Sequence, residues 1–233
     1  MRPDPPPWDC AVIDLRRISA NTPEPVVAHL DTFWQKAYAR TSERGSLWLL
    51  ARDSYVRGQL VPIAHELIDR IRSFTEFKLK DIIVVYRPYA TESRRRRPLL
   101  GAYFMIGHFV KSSDSSFFDK DIVREPHVFK EIEWGRRKIG KSGYSNKSRK
   151  RYNEKGRDPG NVFYSAERDH TTRKVLSVKS FSDSEVFTRL IRMSTRPTWS
   201  IATNSKSETL SKLARHLGRG LLRIEVRGDE ETH

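Results

Sequence analysis

The spacing of apolar residues changes several times along this chain, and each change marks an element. "CAVID" (10–14) is a short unbroken apolar run ending in an acid, which reads as a buried strand. In "TPEPVVAHLDTFWQKAYAR" (22–40) the period becomes helical. Val26, Val27, Leu30, Phe33, Trp34, Ala37 and Tyr38 fall on one face, and Pro25 suits a first turn. "GSLWLLA" (45–51) predicts a strand, "PIAHELIDRIRSF" (62–74) a second helix, and "KLKDIIVVYRP" (78–88) a strand dense in β-branched residues. "GAYFMIGHFV" (101–110) adds another strand. Strand alternating with helix predicts a parallel sheet covered by helices.

Regularity stops at about 111 and returns at "NVFY" (161–164). The next helix, "SDSEVFTRLIRMS" (182–194), opens with Ser182 and Glu185 at capping-box spacing. Then "WSIATNSKSETLSKLARHLGRGLLRIEV" (199–226) reads as strand, turn, helix, strand. Ile201 closes the first strand, Leu210, Leu213, Ala214 and Leu217 mark the helix, and Leu221 to Val226 form the second strand. One α/β sheet is therefore expected to draw strands from both ends of the chain, around an irregular middle. The turn "ATNSKSET" stands where a cofactor loop commonly lies, yet it has no glycine.

Composition sharpens this picture. The 233 residues suffice for one α/β domain, but apolar content is only 37% and charge is 31%, so long exposed stretches are expected. A formal charge of +15 points to a polyanionic partner, most simply nucleic acid. The single cysteine, Cys10, excludes a disulfide framework and thiolate metal clusters. No apolar run has membrane-spanning length, and the start "MRPDPPPWD" lacks the pattern of a signal peptide, so a cytoplasmic protein is expected.

The positive charge is clustered. Residues 135–157, "GRRKIGKSGYSNKSRKRYNEKGR", hold ten Lys or Arg against one acid, Glu154. Arg136, Arg137, Lys138, Lys141, Lys147, Arg149, Lys150 and Arg151 are candidate phosphate contacts, and the interleaved Tyr144 and Tyr152 candidate stacking platforms for bases. The plain alternative is a solvated basic loop. Within it, "GRRKIGKS" matches the phosphate-loop pattern of nucleotide hydrolases letter for letter. The flanks argue against that chemistry: "HVFKEIEW" before it is too polar for a central strand, and "GYSNKSRKRYN" after it offers no apolar helix face.

The order of segments resembles the amino-type, site-specific DNA methyltransferases, which modify N6 of adenine or N4 of cytosine. Six stretches carry the likeness: "GSLWLLARDSYVRGQLVPIAHEL", "EFKLKDIIVVYRP", "FFDKDIVREPH", "NEKGRDPGNVFY", "FTRLIRMSTRPTW" and "ARHLGRGLLRIEV". The resemblance implies a doubly wound, mostly parallel, Rossmann-like sheet. It implies a catalytic half at 9–110, a DNA-contacting basic insertion at 111–160 and a cofactor half at 161–233. It also implies transfer of a methyl group from S-adenosylmethionine to the exocyclic amine of a flipped-out base in double-stranded DNA.

The departures fall at the chemistry. Asp14-Leu15-Arg16-Arg17 stands where an Asp/Ser-Pro-Pro-aromatic loop is expected, which assigns Asp14 to the target amine. "DPPPW" (4–8) is the other candidate for that loop, and otherwise a proline-rich tail. Ser207 and Thr209 fall on the cofactor loop, but Lys206 and Glu208 replace its glycines, and Glu225 stands where a ribose-binding acid belongs. Ala102-Tyr103-Phe104 replaces a His-Glu signature. Two expectations follow: a DNA-acting methyltransferase with degraded motifs, or a catalytically inactive DNA-binding subunit or regulator on the same fold, with a partner subunit completing the site.

Overall fold

The computed structural model describes residues 6–17, 27, 30–56, 59–87, 102–127, 153–168 and 175–226. The elements are β1 (Trp8–Asp14), α1 (Asp31–Arg40), β2 (Thr41–Ala51), β3 (Ser54–Val56), β4 (Gln59–Val61), α2 (Ile63–Phe74), β5 (Lys78–Tyr86) and β6 (Tyr103–Val110). A 3-10 turn (Lys120–Val123) precedes β7 (Val162–Phe163), β8 (Ser165–Arg168), β9 (Val175–Lys179), α3 (Asp183–Ser194), β10 (Ser200–Thr203), α4 (Glu208–His216) and β11 (Gly220–Arg223).

Seven strands form one sheet in the order β11-β10-β1-β2-β6-β5-β7. β1 pairs in parallel with β10 on one side and β2 on the other, joining the two ends of the chain as expected. β6 alone runs against its neighbours, pairing antiparallel with both β2 and β5. The apolar run at 101–110 gave its existence but not its direction.

Both faces of the sheet are covered, which is why its strands read as continuous apolar runs. Along β1, Ala11 and Ile13 join the core under α1 and α2 with Trp34, Leu67 and Ile71. Cys10 and Val12 point the other way, to Phe187, Leu190 and Leu210 of α3 and α4. α3 begins as its sequence predicts: Ser182 Oγ accepts from Glu185 N at 3.3 Å, and Glu185 Oε2 accepts from Ser182 N at 2.7 Å. On the α3 face His108 stacks on Trp48 at 3.8 Å, and burial lowers its pKa to about 3, so it is a neutral core residue.

Two features differ from the sequence reading, and a third goes beyond it. β3–β4 and β8–β9 are separate two-stranded hairpins that the apolar pattern does not announce. β11 ends at Arg223, leaving Glu225 beyond the strand. The described flanks of the middle region pack on the body: Phe117 N donates to Arg44 O and Asp119 N to Met193 O. Glu125 binds both Arg157 and Arg189, the latter at 2.8 Å. No helix among the described residues is long and apolar enough to cross a membrane.

Candidate active-site crevice

In an open α/β sheet the ligand crevice forms at the carboxyl ends of neighbouring strands whose connections leave in opposite directions. Here those strands are β1 and β10, since β1 leads through α1 to β2, and β10 leads through α4 to β11 on the other side. Asp14 ends β1, and Asn204 follows β10. The side chain of Asn204 continues the ladder where the strand stops: Oδ1 accepts from Asp14 N at 2.8 Å, and Nδ2 donates to Asp14 O at 3.1 Å.

The Asp14 carboxylate is already engaged. Arg16 Nε donates to Oδ1 at 2.8 Å and Nη2 to Oδ2 at 2.6 Å, while Arg16 N reaches Oδ1 at 3.2 Å. The same guanidinium bonds Asp183, at the start of α3, at 2.9 and 3.0 Å. Arg87, just past β5, also binds Asp183. The Arg16 guanidinium sits 4.8 Å from the Phe104 ring centre and 5.9 Å from that of Phe187. The side chains of Arg16 and Asp14 are only 16% and 14% exposed, so this bidentate pair lies largely out of water. Burial pulls the pKa of Arg16 down, but its hydrogen bonds to Asp14 and Asp183 outweigh that and raise it. Burial works to raise Asp183, and the bond and charge of Arg16, with Arg87 and Arg17, hold it below the usual carboxylate range.

The loop after β10 is closed by neutral groups. Thr203 Oγ1 donates to Val12 O at 2.7 Å and accepts from Ser205 N at 3.1 Å. Ser205 Oγ accepts from Ser207 N at 3.3 Å. Ser207 is the residue before α4, Thr209 lies exposed in its first turn, and Glu225 is exposed two residues past β11. The structure thus brings Asp14 and Asn204 together. It puts Ser207 at the end of the same loop. Sequence reasoning missed Asp183, Arg87 and Phe187, and Phe104 was noted only as a replacement.

The loop that the resemblance assigns to S-adenosylmethionine departs from the expected pattern in two ways. A cofactor lying against such a loop needs backbone bare of side chains and amides turned outward. Here two amides are taken by neighbouring hydroxyls, and Lys206 and Glu208 replace the glycines. Of the alternative catalytic loop (4–8), Asp4 and Pro5 lie outside the described residues, and Trp8 opens β1 at the end of the sheet opposite Asp14. All ten basic-insertion candidates, Arg136 to Tyr152, and the phosphate-loop motif also lie outside the described residues. A cavity of about 910 Å³, lined by Asp69, Arg72 and Lys78 among others, sits at the start of β5, at that same far end.

Similar architecture is found in solved structures. The PvuII DNA methyltransferase, cytosine-N4-specific, superposes with a TM-score of 0.60 at 14% identity, over 95% of this chain and 76% of that one. TTHA0409 from Thermus thermophilus, described as a DNA modification methylase and complexed with S-adenosyl-L-methionine, gives 0.61 at 14% identity, over 96% and 83%. The chain has the fold of these DNA methyltransferases. No family model matches its sequence, and no curated protein does. The mostly parallel sheet built from both chain ends is therefore the expected one, while at this identity the residues of the crevice must speak for themselves.

Proposed function

We propose that this is a DNA-acting protein on the S-adenosylmethionine-dependent amino-methyltransferase fold whose own reaction centre is shut. The +15 charge and the fold support the DNA partner. One observation carries the shut centre: both oxygens of Asp14 accept from Arg16, whose planar cation fills the space beside them. Amine activation needs an acceptor oxygen positioned to within fractions of an ångström, and a charge-assisted bidentate pair is a strong competitor for it. The chain then serves as a DNA-binding subunit or regulator.

The test is transfer of labelled methyl from S-adenosylmethionine to duplex DNA, with calorimetric titration of the cofactor alongside. The expected result is salt-sensitive DNA binding, no transfer and no cofactor heat. Transfer by the wild-type chain that disappears in Asp14→Ala would establish the working enzyme instead.

A further inference from the structure

The described part of the chain carries a basic corner far from the crevice. Between Glu185 and Glu225 the only acid is Glu208, against eight Lys or Arg. Some of these are committed. Arg189 binds Glu125, Lys212 binds Glu208, and Arg223 binds Ser211 and the Ser207 carbonyl. Arg219 acts as a staple: its Nε and Nη2 donate to Oγ1 and O of Thr195, both at 3.1 Å, and Nη1 to Leu217 O. Thr198 N donates to Gly218 O at 2.8 Å, so the turns after α3 and α4 are locked together.

Arg192 and Arg215 lie in the last turns of α3 and α4, Arg196 follows α3 by two residues, and none forms an ion pair among the described residues. Arg196 and Arg215 are exposed, and Arg192 is half-buried. Arg196 stacks on Phe117 at 4.7 Å, which orients it without neutralising it. Arg192 lies close enough to Arg219 to join burial in lowering the pKa of that guanidinium. Thr198 holds a left-handed φ of 73°, costly for a β-branched residue, in the turn that presents Arg196. Arginines at helix C-termini favour the helix dipole. That accounts for one charge per helix end, not for Arg196 and Arg219 besides, and the acids that other elements bring to this corner, Asp9 and Asp119, form no ion pair with them among the described residues.

We infer that Arg192, Arg196 and Arg215 form a phosphate-backbone contact for nucleic acid at the corner where α3 and α4 end. α3 runs from Asp183 at the crevice to this corner, about 18 Å away at the usual helical rise. A duplex held here is gripped without offering a base to Asp14, which suits a shut reaction centre. The inference rests on the DNA reading above but assigns the contact to described residues outside 135–157.

The experiment is anisotropy of a labelled duplex across a salt series, with wild type, the triple variant Arg192→Gln/Arg196→Gln/Arg215→Gln, and the matching Arg→Lys triple. Each lost phosphate contact lowers the salt slope by about 0.9. The Gln triple is expected to flatten the slope by about 2 to 3 and weaken binding at least about 10-fold at 0.1 M salt. The Lys triple retains the slope, and unchanged thermal melting shows that the fold is intact. Unaltered binding by the Gln triple overturns the corner while leaving the DNA reading in place. A wild-type chain that binds no duplex sinks both. Tighter binding to anionic vesicles than to duplex, lost in the Gln triple, replaces DNA with a membrane surface and also overturns the inference.

Discussion

Two loops meet at the crevice, and they are closed by different physics. The loop after β1 is held by charge: Asp14 and Arg16 form a largely buried pair that reaches out to the half-exposed Asp183. The loop after β10 is held by neutral hydroxyls and an amide: Thr203, Ser205 and Asn204 satisfy backbone groups one by one. A charged closure is strong and conditional, because a lone ion left behind is penalised heavily. A neutral closure is weaker and nearly indifferent to pH and salt. A loop that closes on itself in either way no longer offers its groups to a ligand.

The largest expected effect tests the first loop. Asp14→Ala takes two charge-assisted bonds from a guanidinium that keeps Asp183, and is expected to cost about 2–3 kcal/mol in urea unfolding. Replacing both partners by apolar groups removes the under-compensated charge. The double variant Asp14→Ala/Arg16→Met therefore recovers most of that loss. If the double variant is no better than Asp14→Ala, the bridge is not the element that closes the loop.

Asn204→Ala comes next, because this side chain ties the two loops together. The substitution strips partners from both N–H and C=O of Asp14, at an expected cost of about 2 kcal/mol. It also frees the end of β1, so amide exchange of Leu15 and Arg16 is expected to quicken more than that of mid-strand Val12. Uniform protection along β1 in the variant would show that the two loops close independently.

The scaffold was legible and the closures were not, for a physical reason. A strand buried on both faces writes itself as an apolar run, so Cys10–Asp14 and Leu47–Ala51 were readable from residue type alone. The capping box of α3 was equally local, being spaced over Ser182 and Glu185. The direction of β6 shows only in its antiparallel pairing with β2 and β5, which periodicity does not record. The ribbon β8–β9 has short strands with exposed Val175, Leu176 and Val178, so it lacks a clean inward-outward alternation. Arg16 was recognised only as a poor substitute for a rigid turn. Its partner Asp183 lies 167 residues away, in the first turn of α3. Long-range side-chain pairing leaves no trace in local spacing.

The smallest effect separates the two closures most cleanly. Ser205→Ala removes one hydroxyl acceptor from Ser207 N and is expected to cost about 0.5–1 kcal/mol. Ser205 does not titrate, so that difference from wild type stays constant as pH changes. The ionic loop behaves otherwise. Asp183 has a folded pKa below its unfolded value, so its stabilisation is present above the ordinary carboxylate range and is lost as pH falls through the lowered value. The cost of Asp183→Asn, measured against wild type, is therefore expected to shrink below about pH 4, where Asp183 and the unfolded carboxylates take up protons. Parallel acid-unfolding curves for wild type, Asp183→Asn and Ser205→Ala decide the matter. If the Asp183→Asn difference is as flat in pH as the Ser205→Ala difference, the bridge contributes no charge-dependent stability, and the ionic account of the loop after β1 fails with it.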